Sequence, residues 1–196
     1  MKILVGISGS SSVYLGFKLL QNLEKKSKVF CVLTQHAKSS FLAENPQFKW
    51  NLQHFSTLAS EHFSLTKTQF LCDDDLCAGA SSGSFGITKT IIAPCSVSTL
   101  AKIHSGLGDT LLTRACIVAL KERKKLILAV REMPFSTLNL EHMSKLSQLG
   151  AIIAPPIVAS YFGLRDLEGL ENFIVGKWLD LLEIPHNLYQ KWERPQ

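Results

Sequence analysis

A charged pair, Arg131 and Glu132, directly follows the apolar run at residues 126–130. Such a run is typical of a parallel strand that is buried on both faces. A Pro-Cys-Ser turn at residues 94–96 follows a second short apolar run, residues 91–93. Because ligands of an open α/β sheet bind at the carboxyl ends of its strands, we expect the pair and the turn at one ligand-binding edge. A simple ion pair between Arg131 and Glu132 is the alternative.

The first turn of the chain is built from small residues. The apolar residues 2–6 are followed by ISGSSS at residues 7–12, and then by a stretch with Leu15, Leu19 and Leu23 on one helical face. This pattern predicts a strand, a tight turn and a helix. The N-terminus of a helix offers free N–H groups and the positive end of a dipole, so the turn is suited to a phosphate group.

The same region argues against a dinucleotide. The turn does not have the GxGxxG pattern, and the second predicted strand ends in Thr34, where a dinucleotide fold usually carries Asp or Glu for the ribose. We therefore expect a mononucleotide rather than NAD.

Other polar positions have an ordinary structural interpretation beside a functional one. Glu44, just before Asn45-Pro46, is typical of a surface carboxylate. Arg114 and Lys121 are seven residues apart, so they share a helix face about 10 Å from each other, although Lys121 also complements the helix dipole. The small-residue loop at residues 79–84 either closes over a ligand or joins two elements.

The periodicity of apolar residues predicts one α/β domain with a doubly wound, mostly parallel sheet. Strands are predicted at residues 2–6, 28–34, 91–93, 126–130 and 151–154, and none between residues 50 and 70. Helices are predicted after the first turn, at residues 36–43 and 53–62, from Ser96 or Ser98 to His104, from Asp109 or Thr110 onward, and at residues 139–149 and 167–182.

Composition limits the function further. A chain of 196 residues with 46% hydrophobic content supports one sizeable core. Its formal net charge of +5 suits an anionic ligand, as it also suits a solvated basic surface, and no basic stripe interleaved with aromatic residues indicates nucleic acid. No apolar run approaches the roughly 20 residues of a membrane span, and no signal-peptide pattern is present. We expect a cytoplasmic protein.

The cysteines and acidic runs do not predict a metal site. The five cysteines are irregularly spaced, which fits a reducing compartment better than a disulfide framework. Cys72 and Cys77 have no second Cys or His pair that would complete a zinc set. The aspartate run at residues 73–75 lacks the spaced ligands and the glycine of a calcium loop.

Several motifs follow one another in a distinctive order. They are GISGSS at residues 6–11, SGS at 82–84, PCSVSTL at 94–100, Arg114 with LKER at 120–123, REMP at 131–134, PP at 155–156, and Tyr161. Their order and spacing resemble the UbiX-type flavin prenyltransferases over nearly the whole chain. The resemblance implies a flavodoxin-like domain at residues 1–185 that binds FMN, a tail at residues 186–196 that packs at the site or at a subunit contact, and a homo-oligomer, a dodecamer in that family.

The resemblance also implies a reaction. Enzymes of this family transfer a dimethylallyl group from dimethylallyl monophosphate to N5 and then C6 of reduced FMN, and a UbiD-type decarboxylase uses the product. Because phosphate is a poor leaving group, such a site must hold the dianion with cations and supply a proton as the C–O bond breaks. Side chains can fill these roles without a metal.

Residue by residue, the resemblance implies three sets of positions. The flavin-binding set is Gly9, Ser10, Ser11, Thr34, Ser96, Val97, Ser98, Thr99 and Arg131. The substrate set is Ser82, Gly83, Arg114, Lys121, Arg131, Tyr161, Lys177 and Trp192, the last lining the prenyl pocket. The catalytic set is Ser11, Glu44, Lys121 and Glu132, in which Glu132 assists phosphate departure and later proton transfer and Glu44 helps complete the site across a subunit contact.

The chain departs from the family pattern at a few positions. Ser12 replaces a glycine, the tyrosine that follows is displaced to Tyr14, and Leu76 replaces a tryptophan found in some members. Lys177 replaces the usual arginine of the last helix. Lysine keeps the charge but not the planar two-point grip on phosphate, so this replacement bears on phosphate affinity and on the preferred phosphate form.

Two other functions remain open. One is a flavin-dependent decarboxylase of the peptidyl-cysteine or phosphopantothenoylcysteine type, which relies on an early catalytic histidine and an asparagine-containing loop; His36 and the loop at residues 81–84 match these poorly. The other is a non-catalytic FMN carrier or assembly subunit of a decarboxylase. A carrier needs the phosphate turn but neither the paired acids, Glu44 and Glu132, nor the set of cations.

Overall fold

The computed structural model describes residues 1–160 and 166–191, which form one parallel sheet between two layers of helices. The strands of these residues are β1 (Lys2–Ile7), β2 (Lys28–Leu33), β3 (Gln69–Leu71), β4 (Lys89–Cys95), β5 (Lys125–Val130) and β6 (Ile152–Ile153). Their order is β3-β2-β1-β4-β5-β6, with parallel neighbours throughout. The α-helices are α1 (Val13–Leu23), α2 (Gln35–Glu44), α3 (Phe55–His62), α4 (Val97–His104), α5 (Leu111–Lys121), α6 (Thr137–Gln148) and α7 (Leu167–Leu181). The predicted doubly wound α/β fold is confirmed.

Alternation along the strands builds a core on each face of the sheet. Ile3, Val5 and Ile7 of β1 point into the core beneath α1, α2, α3 and α7, whereas Leu4 points into the core beneath α4, α5 and α6. This two-residue period places every apolar side chain of β1 in a buried layer. Trp178 of α7 is the largest fully buried side chain in the described residues.

Two predictions about the strands are wrong. Pro94 was expected to end its strand, but β4 continues to Cys95, which pairs with Val130 after a shift in register beyond Ile92. Proline removes one N–H donor, and the irregularity lets the ladder continue past it. The edge strand β3, which pairs with β2, lies in a segment where no strand was predicted, because a run of three residues is too short to show a period.

The helix starts follow the capping residues. The open choice between Ser96 and Ser98 resolves to Ser96, whose hydroxyl accepts the Thr99 N–H at 3.2 Å. The choice between Asp109 and Thr110 resolves to Thr110, which forms a capping box with Thr113. Side-chain oxygens at these positions satisfy N–H groups that have no partner inside the helix.

A buried carboxylate ties the edge of the sheet to α1. Glu24, 8% exposed, follows α1 directly. Its carboxylate accepts the N–H groups of Thr66, Lys67 and Thr68 at 3.1–3.2 Å and the Thr68 hydroxyl at 2.8 Å. These donors lie just before β3, so Glu24 positions the chain as it enters the edge strand.

Two lysines hold the end of α7 at the amino edge of the sheet. Lys89 and Lys125, the first residues of β4 and β5, donate to the carbonyls of Leu182 at 2.6 Å and Leu181 at 3.0 Å. Both also donate to the Glu183 carboxylate, at 2.5 and 2.6 Å. Cations at the C-terminal end of a helix are stabilised by its dipole, so this contact fixes the direction of α7.

None of the helices in residues 1–160 and 166–191 combines the length and the apolar character that a membrane crossing requires.

We predict that Glu24→Ala lowers the free energy of unfolding by about 2 kcal/mol, because hydrogen bonds to a charged acceptor are lost. Urea unfolding followed by circular dichroism, at one protein concentration, measures this. Glu141→Ala, on the exposed face of α6, is the control and should change the value by no more than about 0.5 kcal/mol. Equal effects of the two substitutions would contradict the tether.

Glu183 makes stability depend on pH in a predictable direction. Hydrogen bonds from Lys125 and Lys89 lower the pKa of Glu183 from 4.5 to about 2. A lowered folded-state pKa contributes stability that is complete above the unfolded value of 4.5 and is lost as pH falls toward 2. The stability difference between wild type and Glu183→Gln should therefore be constant above pH 4.5 and shrink between pH 4.5 and 2. A pH-independent difference in acid titrations would rule this out.

Candidate functional site

Ser8 joins the carboxyl ends of β1 and β4. Its N–H and its hydroxyl donate to the Pro94 carbonyl at 3.1 and 3.2 Å, and its hydroxyl accepts the Ser96 N–H at 2.8 Å. Ser8 is 1% exposed, so these bonds are shielded from water. β1 pairs with β2 on one side and with β4 on the other, which makes this the point where the strand order reverses. Open α/β sheets bind ligands at this point.

A cavity of about 530 Å³, the switch-point cavity, opens there. It is lined by five of the predicted flavin-binding residues: Gly9, Thr34, Ser96, Ser98 and Thr99. The structure therefore brings together residues from the turns that follow β1, β2 and β4. Of the other predicted flavin residues, Ser10 and Ser11 continue the turn after Gly9, while Val97 packs against the core beneath α4.

Two helices begin at the wall of the switch-point cavity. Thr34 accepts the Ala37 N–H at 3.1 Å and starts α2, and Ser96 starts α4. Lys38 and Lys102, which sequence analysis did not single out, also line the cavity. Each lies four residues after a predicted flavin residue, Thr34 or Ser98, so the spacing of one helical turn was the available signal. Asp73 and Asp74 also line the cavity, and Lys102 is paired with Asp109 at 2.8 Å, so the helix N-termini and Lys38 are the features that favour an anionic ligand.

The turn after β1 has the features of a phosphate cradle. The Ser10 hydroxyl is buried, and no hydrogen-bond partner for it occurs in the described part of the chain. Buried hydroxyls are normally paired, so an orphaned one beside a cavity fits an absent acceptor. Gly9 packs so closely against His36 that a Cβ at this position would collide with the Cβ of His36. The residues present therefore fit the phosphate of a mononucleotide such as FMN.

Arg131 and Glu132 line a second cavity of about 670 Å³ at the same edge, the Arg131–Glu132 cavity. The Arg131 N–H donates to the Cys95 carbonyl at 3.0 Å, which ties the pair to the end of β4. Glu132 is exposed, and its carboxylate accepts the Met133 N–H at 3.0 Å. The two do not form an ion pair with each other in the structure, so their charges remain available to a ligand.

Glu44, the last residue of α2, reaches the same edge. Its carboxylate accepts the Ser12 N–H at 3.1 and 3.3 Å, and Ser12 also lines the Arg131–Glu132 cavity. Ser12 has a φ of 70°, in the left-handed region that favours glycine. This explains why the family pattern has glycine there. Glu44 itself lines an adjoining cavity of about 850 Å³ that shares Tyr14, Leu167 and Glu171 with the Arg131–Glu132 cavity, so the two predicted acids lie at neighbouring openings of a single chain.

The predicted cations of α5 lie elsewhere. Arg114 donates to the Ser81 carbonyl at 3.3 Å, and Lys121 forms an ion pair with Glu122, which packs against Gly83. Lys121 ends α5 just before β5, whereas Glu132 follows the other end of β5.

This separation is large on the scale of the site. Six residues of extended strand span about 20 Å, so within one chain Lys121 and Glu132 are roughly that far apart. The nearby loop belongs to the same amino edge, since Lys2 at the start of β1 donates to the Phe85 carbonyl at 2.6 Å. The substrate set with Ser82, Gly83, Arg114 and Lys121 is therefore not assembled around Glu132 by one chain.

Lys177 lies on the exposed side of α7 and lines a third cavity of about 790 Å³, the α7 cavity. The α7 cavity shares Pro155, Ile157, Val158 and Ile174 with the Arg131–Glu132 cavity, so the two are adjacent. Two further predicted substrate residues, Tyr161 and Trp192, lie outside the described residues.

The buried cysteines next to the site do not supply a nucleophile. Burial raises the pKa of the Cys95 thiol to about 12. Burial, together with the neighbouring Cys95 and Asp73, also raises the pKa of Cys116 well above its ordinary value. Both thiols are therefore protonated at neutral pH, and the thiolate is the reactive form. Within residues 1–160 and 166–191, no group of three or more His, Cys, Asp or Glu side chains could hold a metal ion.

The chain matches known proteins over its whole length. The family model described as Flavoprotein matches residues 1–178. A protein of Campylobacter jejuni named flavin prenyltransferase UbiX is 64% identical over 193 residues, covering 98% of this chain and 99% of that protein.

Solved structures agree. AnUbiX (PadA1), solved in complex with FMN and dimethylallyl pyrophosphate, has a TM-score of 0.87 and 31% identity and covers 100% of this chain and 98% of its own. A dodecameric FMN-dependent UbiX-like decarboxylase from Escherichia coli O157:H7 has a TM-score of 0.87 and 34% identity, covering 98% of this chain and 100% of its own. The chain therefore belongs to the UbiX family of flavin prenyltransferases.

Proposed function

We propose that this protein transfers a dimethylallyl group from a phosphate ester to reduced FMN. The observation that carries the proposal is the edge at which the switch-point cavity, lined by Gly9 next to the orphaned Ser10 hydroxyl, lies beside the Arg131–Glu132 cavity. One opening suits a flavin phosphate and the other offers a carboxylic acid and a guanidinium. When bound, reduced FMN supplies the nucleophilic N5 and C6 atoms that accept the dimethylallyl group.

The flavin is held by residues of three turns. Gly9, Ser10 and Ser11 give backbone and hydroxyl donors to its phosphate, as expected of a turn that precedes a helix. The capped starts of α2 and α4, at Thr34 and at residues 96–99, line the space beside it. Arg131 borders the flavin from the end of β5. The hydrogen bond from its backbone N–H to the Cys95 carbonyl of β4 holds it there. The lining of the switch-point cavity supports five residues of the set that the resemblance implies: Gly9, Thr34, Ser96, Ser98 and Thr99.

The acids handle the proton and the leaving group. Glu132 gives a proton to the departing phosphate and later takes one from the flavin ring, which requires a carboxyl group free of a permanent ion pair. Glu44, held by the Ser12 N–H, stands at the adjoining opening and acts as the second acid/base group. Ser11 lies between Ser10 and Ser12, the residue whose N–H holds Glu44, and contributes a hydroxyl.

Further phosphate cations come from a second chain. Lys121 and Gly83 lie at the amino edge of the sheet, whereas Arg114 lies in the first turn of α5 and bonds to Ser81. None of them lines the Arg131–Glu132 cavity, where a leaving dianion needs positive charge. A homo-oligomer that places the amino edge of one chain against the carboxyl edge of another brings the two sets together. The dodecameric assembly of the relative from Escherichia coli supports such an arrangement.

The substrate, recipient and location follow from the same family. Dimethylallyl monophosphate is the substrate that we propose, although the relative AnUbiX was solved with the pyrophosphate, and Lys177 in place of arginine bears on this choice. The product passes to a UbiD-type decarboxylase in the cytoplasm. Side-chain cations replace a metal at the leaving group.

A cysteine decarboxylase is the second candidate, and one observation favours it. His36 lines the switch-point cavity, as an early catalytic histidine would. However, the loop at residues 81–84 lies near the amino edge rather than at this cavity. A non-catalytic FMN carrier would leave the paired acids at the carboxyl edge unexplained.

Mass spectrometry of the extracted flavin tests the function. We predict that incubation with reduced FMN and dimethylallyl monophosphate adds one dimethylallyl group to the flavin. Glu132→Gln should leave FMN affinity within about threefold of wild type and lower the turnover rate by about 10²–10⁴-fold, because a general acid is lost. Glu141→Gln is the matched control and should behave as wild type. Unchanged flavin mass with wild-type protein, combined with decarboxylation of a cysteine-ended peptide, would favour the second candidate.

A further inference from the structure

The α7 cavity contains two ammonium groups in a mostly apolar lining. Lys177 of α7 and Lys191 of the C-terminal segment both border it, alongside residues such as Ile157, Phe173 and Leu181. In the part of the chain that the structure describes, no carboxylate lies within 4.0 Å of the Lys177 ammonium. Asp180 also borders the cavity and balances the charge of Lys191, so Lys177 is left as the ammonium without a counter-ion in the described lining, which favours a ligand with negative charge.

Lys191 is held in place by Asp180, one helical turn after Lys177. The Lys191 ammonium lies 3.3 Å from a carboxylate oxygen of Asp180. Residues three apart share a face of a helix, so Asp180 keeps Lys191 on the same face as Lys177. The Lys191 side chain is 67% exposed, so its ammonium can also reach a ligand.

The segment that carries Lys191 has a built seat. The same Asp180 carboxylate accepts the Tyr189 hydroxyl and lies 3.2 Å from the His186 ring nitrogen. Gly176 leaves space for both rings: a Cβ there would lie 2.5 Å from Tyr189 Cδ1 and 2.9 Å from His186 Cε1. Burial raises the pKa of Asp180, but the hydrogen bonds from Tyr189, Lys191 and His186 outweigh this and leave its pKa below the ordinary value. The carboxylate is therefore charged at neutral pH.

The α7 cavity is also continuous with the proposed reaction site. It shares a wall of Pro155, Ile157, Val158 and Ile174 with the Arg131–Glu132 cavity. A ligand with a short apolar group and an anionic head can lie along this wall, with its head near the two lysines and its ester oxygen toward Glu132.

We propose that Lys191 is a second phosphate-binding cation of the prenyl-donor site, acting together with Lys177, and that Asp180 positions it before the substrate binds. This inference rests on the proposed function. One ammonium is a point charge, and two ammonium groups supply the two contacts that a single guanidinium gives. Lys191 thereby restores the second phosphate contact that is lost when lysine replaces the family's arginine at position 177.

The test compares charge at position 191 with a matched control. We expect Lys191→Met to raise the KM for dimethylallyl monophosphate, and the inhibition constant of inorganic phosphate, by about tenfold, as for one lost charge-assisted hydrogen bond. The affinity for FMN should stay within about twofold, and Lys191→Arg should keep the wild-type KM. Lys145→Met, which removes an exposed lysine from α6, should change neither constant.

Ionic strength separates a binding cation from a residue that only packs the tail. If Lys191 contacts the phosphate, Lys191→Met should make the inhibition constant of inorganic phosphate less dependent on salt, because one screened charge has been removed. Lys191→Arg, which keeps the charge at position 191, should retain the wild-type salt dependence.

The outcomes distinguish this inference from the proposed function. If wild-type protein leaves the flavin mass unchanged, the proposed function fails. If wild type is active but Lys191→Met matches Lys145→Met in KM, or raises KM with an unaltered salt dependence, only the role of Lys191 is overturned.

Discussion

The bonds made by Ser8 between the turns after β1 and β4 are the constraint on which the rest of the site depends. The Ser8 hydroxyl both donates to the Pro94 carbonyl and accepts the Ser96 N–H, so it fixes the separation of two neighbouring turns. Ser96 in turn starts α4, and Cys95 accepts the Arg131 N–H. One buried hydroxyl thus sets the relative position of the flavin turn and the Arg131–Glu132 pair.

The charges of the site are divided between the two edges of the sheet. The acids Glu44 and Glu132 lie at the carboxyl edge, whereas Lys121 lies at the amino edge, about 20 Å away along β5. A single chain therefore holds the flavin turn and the acids but lacks positive charge from α5 beside them. In our account, assembly of several chains is part of the chemistry, because Lys121 reaches the leaving phosphate only where two chains meet.

Local sequence rules predicted much of the fold and of the candidate site, but they did not predict the long-range contacts. Ser96 precedes an apolar-periodic segment and was one of two predicted caps, whereas α2 buries only Ala37 and Phe41 and its cap at Thr34 was not predicted. The contact of Glu44 with the Ser12 N–H joins residues 32 apart through the left-handed φ of Ser12, which no spacing rule reports. Motifs likewise identified Lys121, but a motif does not specify which chain supplies a residue. The edge strand β3 was not predicted, because its three residues are too few to show the two-residue alternation of a strand.

Mixing two inactive variants tests the divided site most directly. Glu132→Gln and Lys121→Met chains are co-expressed in equal amounts, and the prenylated flavin is measured. If sites form between chains, about a quarter of randomly mixed sites contain both native residues, and activity returns to roughly that level. The control mixes Glu132→Gln with Arg131→Met chains. Both residues lie at the carboxyl edge, so every site takes them from one chain and has one of the two substitutions, and the mixture should stay inactive. No recovery in the first mixture, with mixed oligomers verified by native mass spectrometry, would contradict the account.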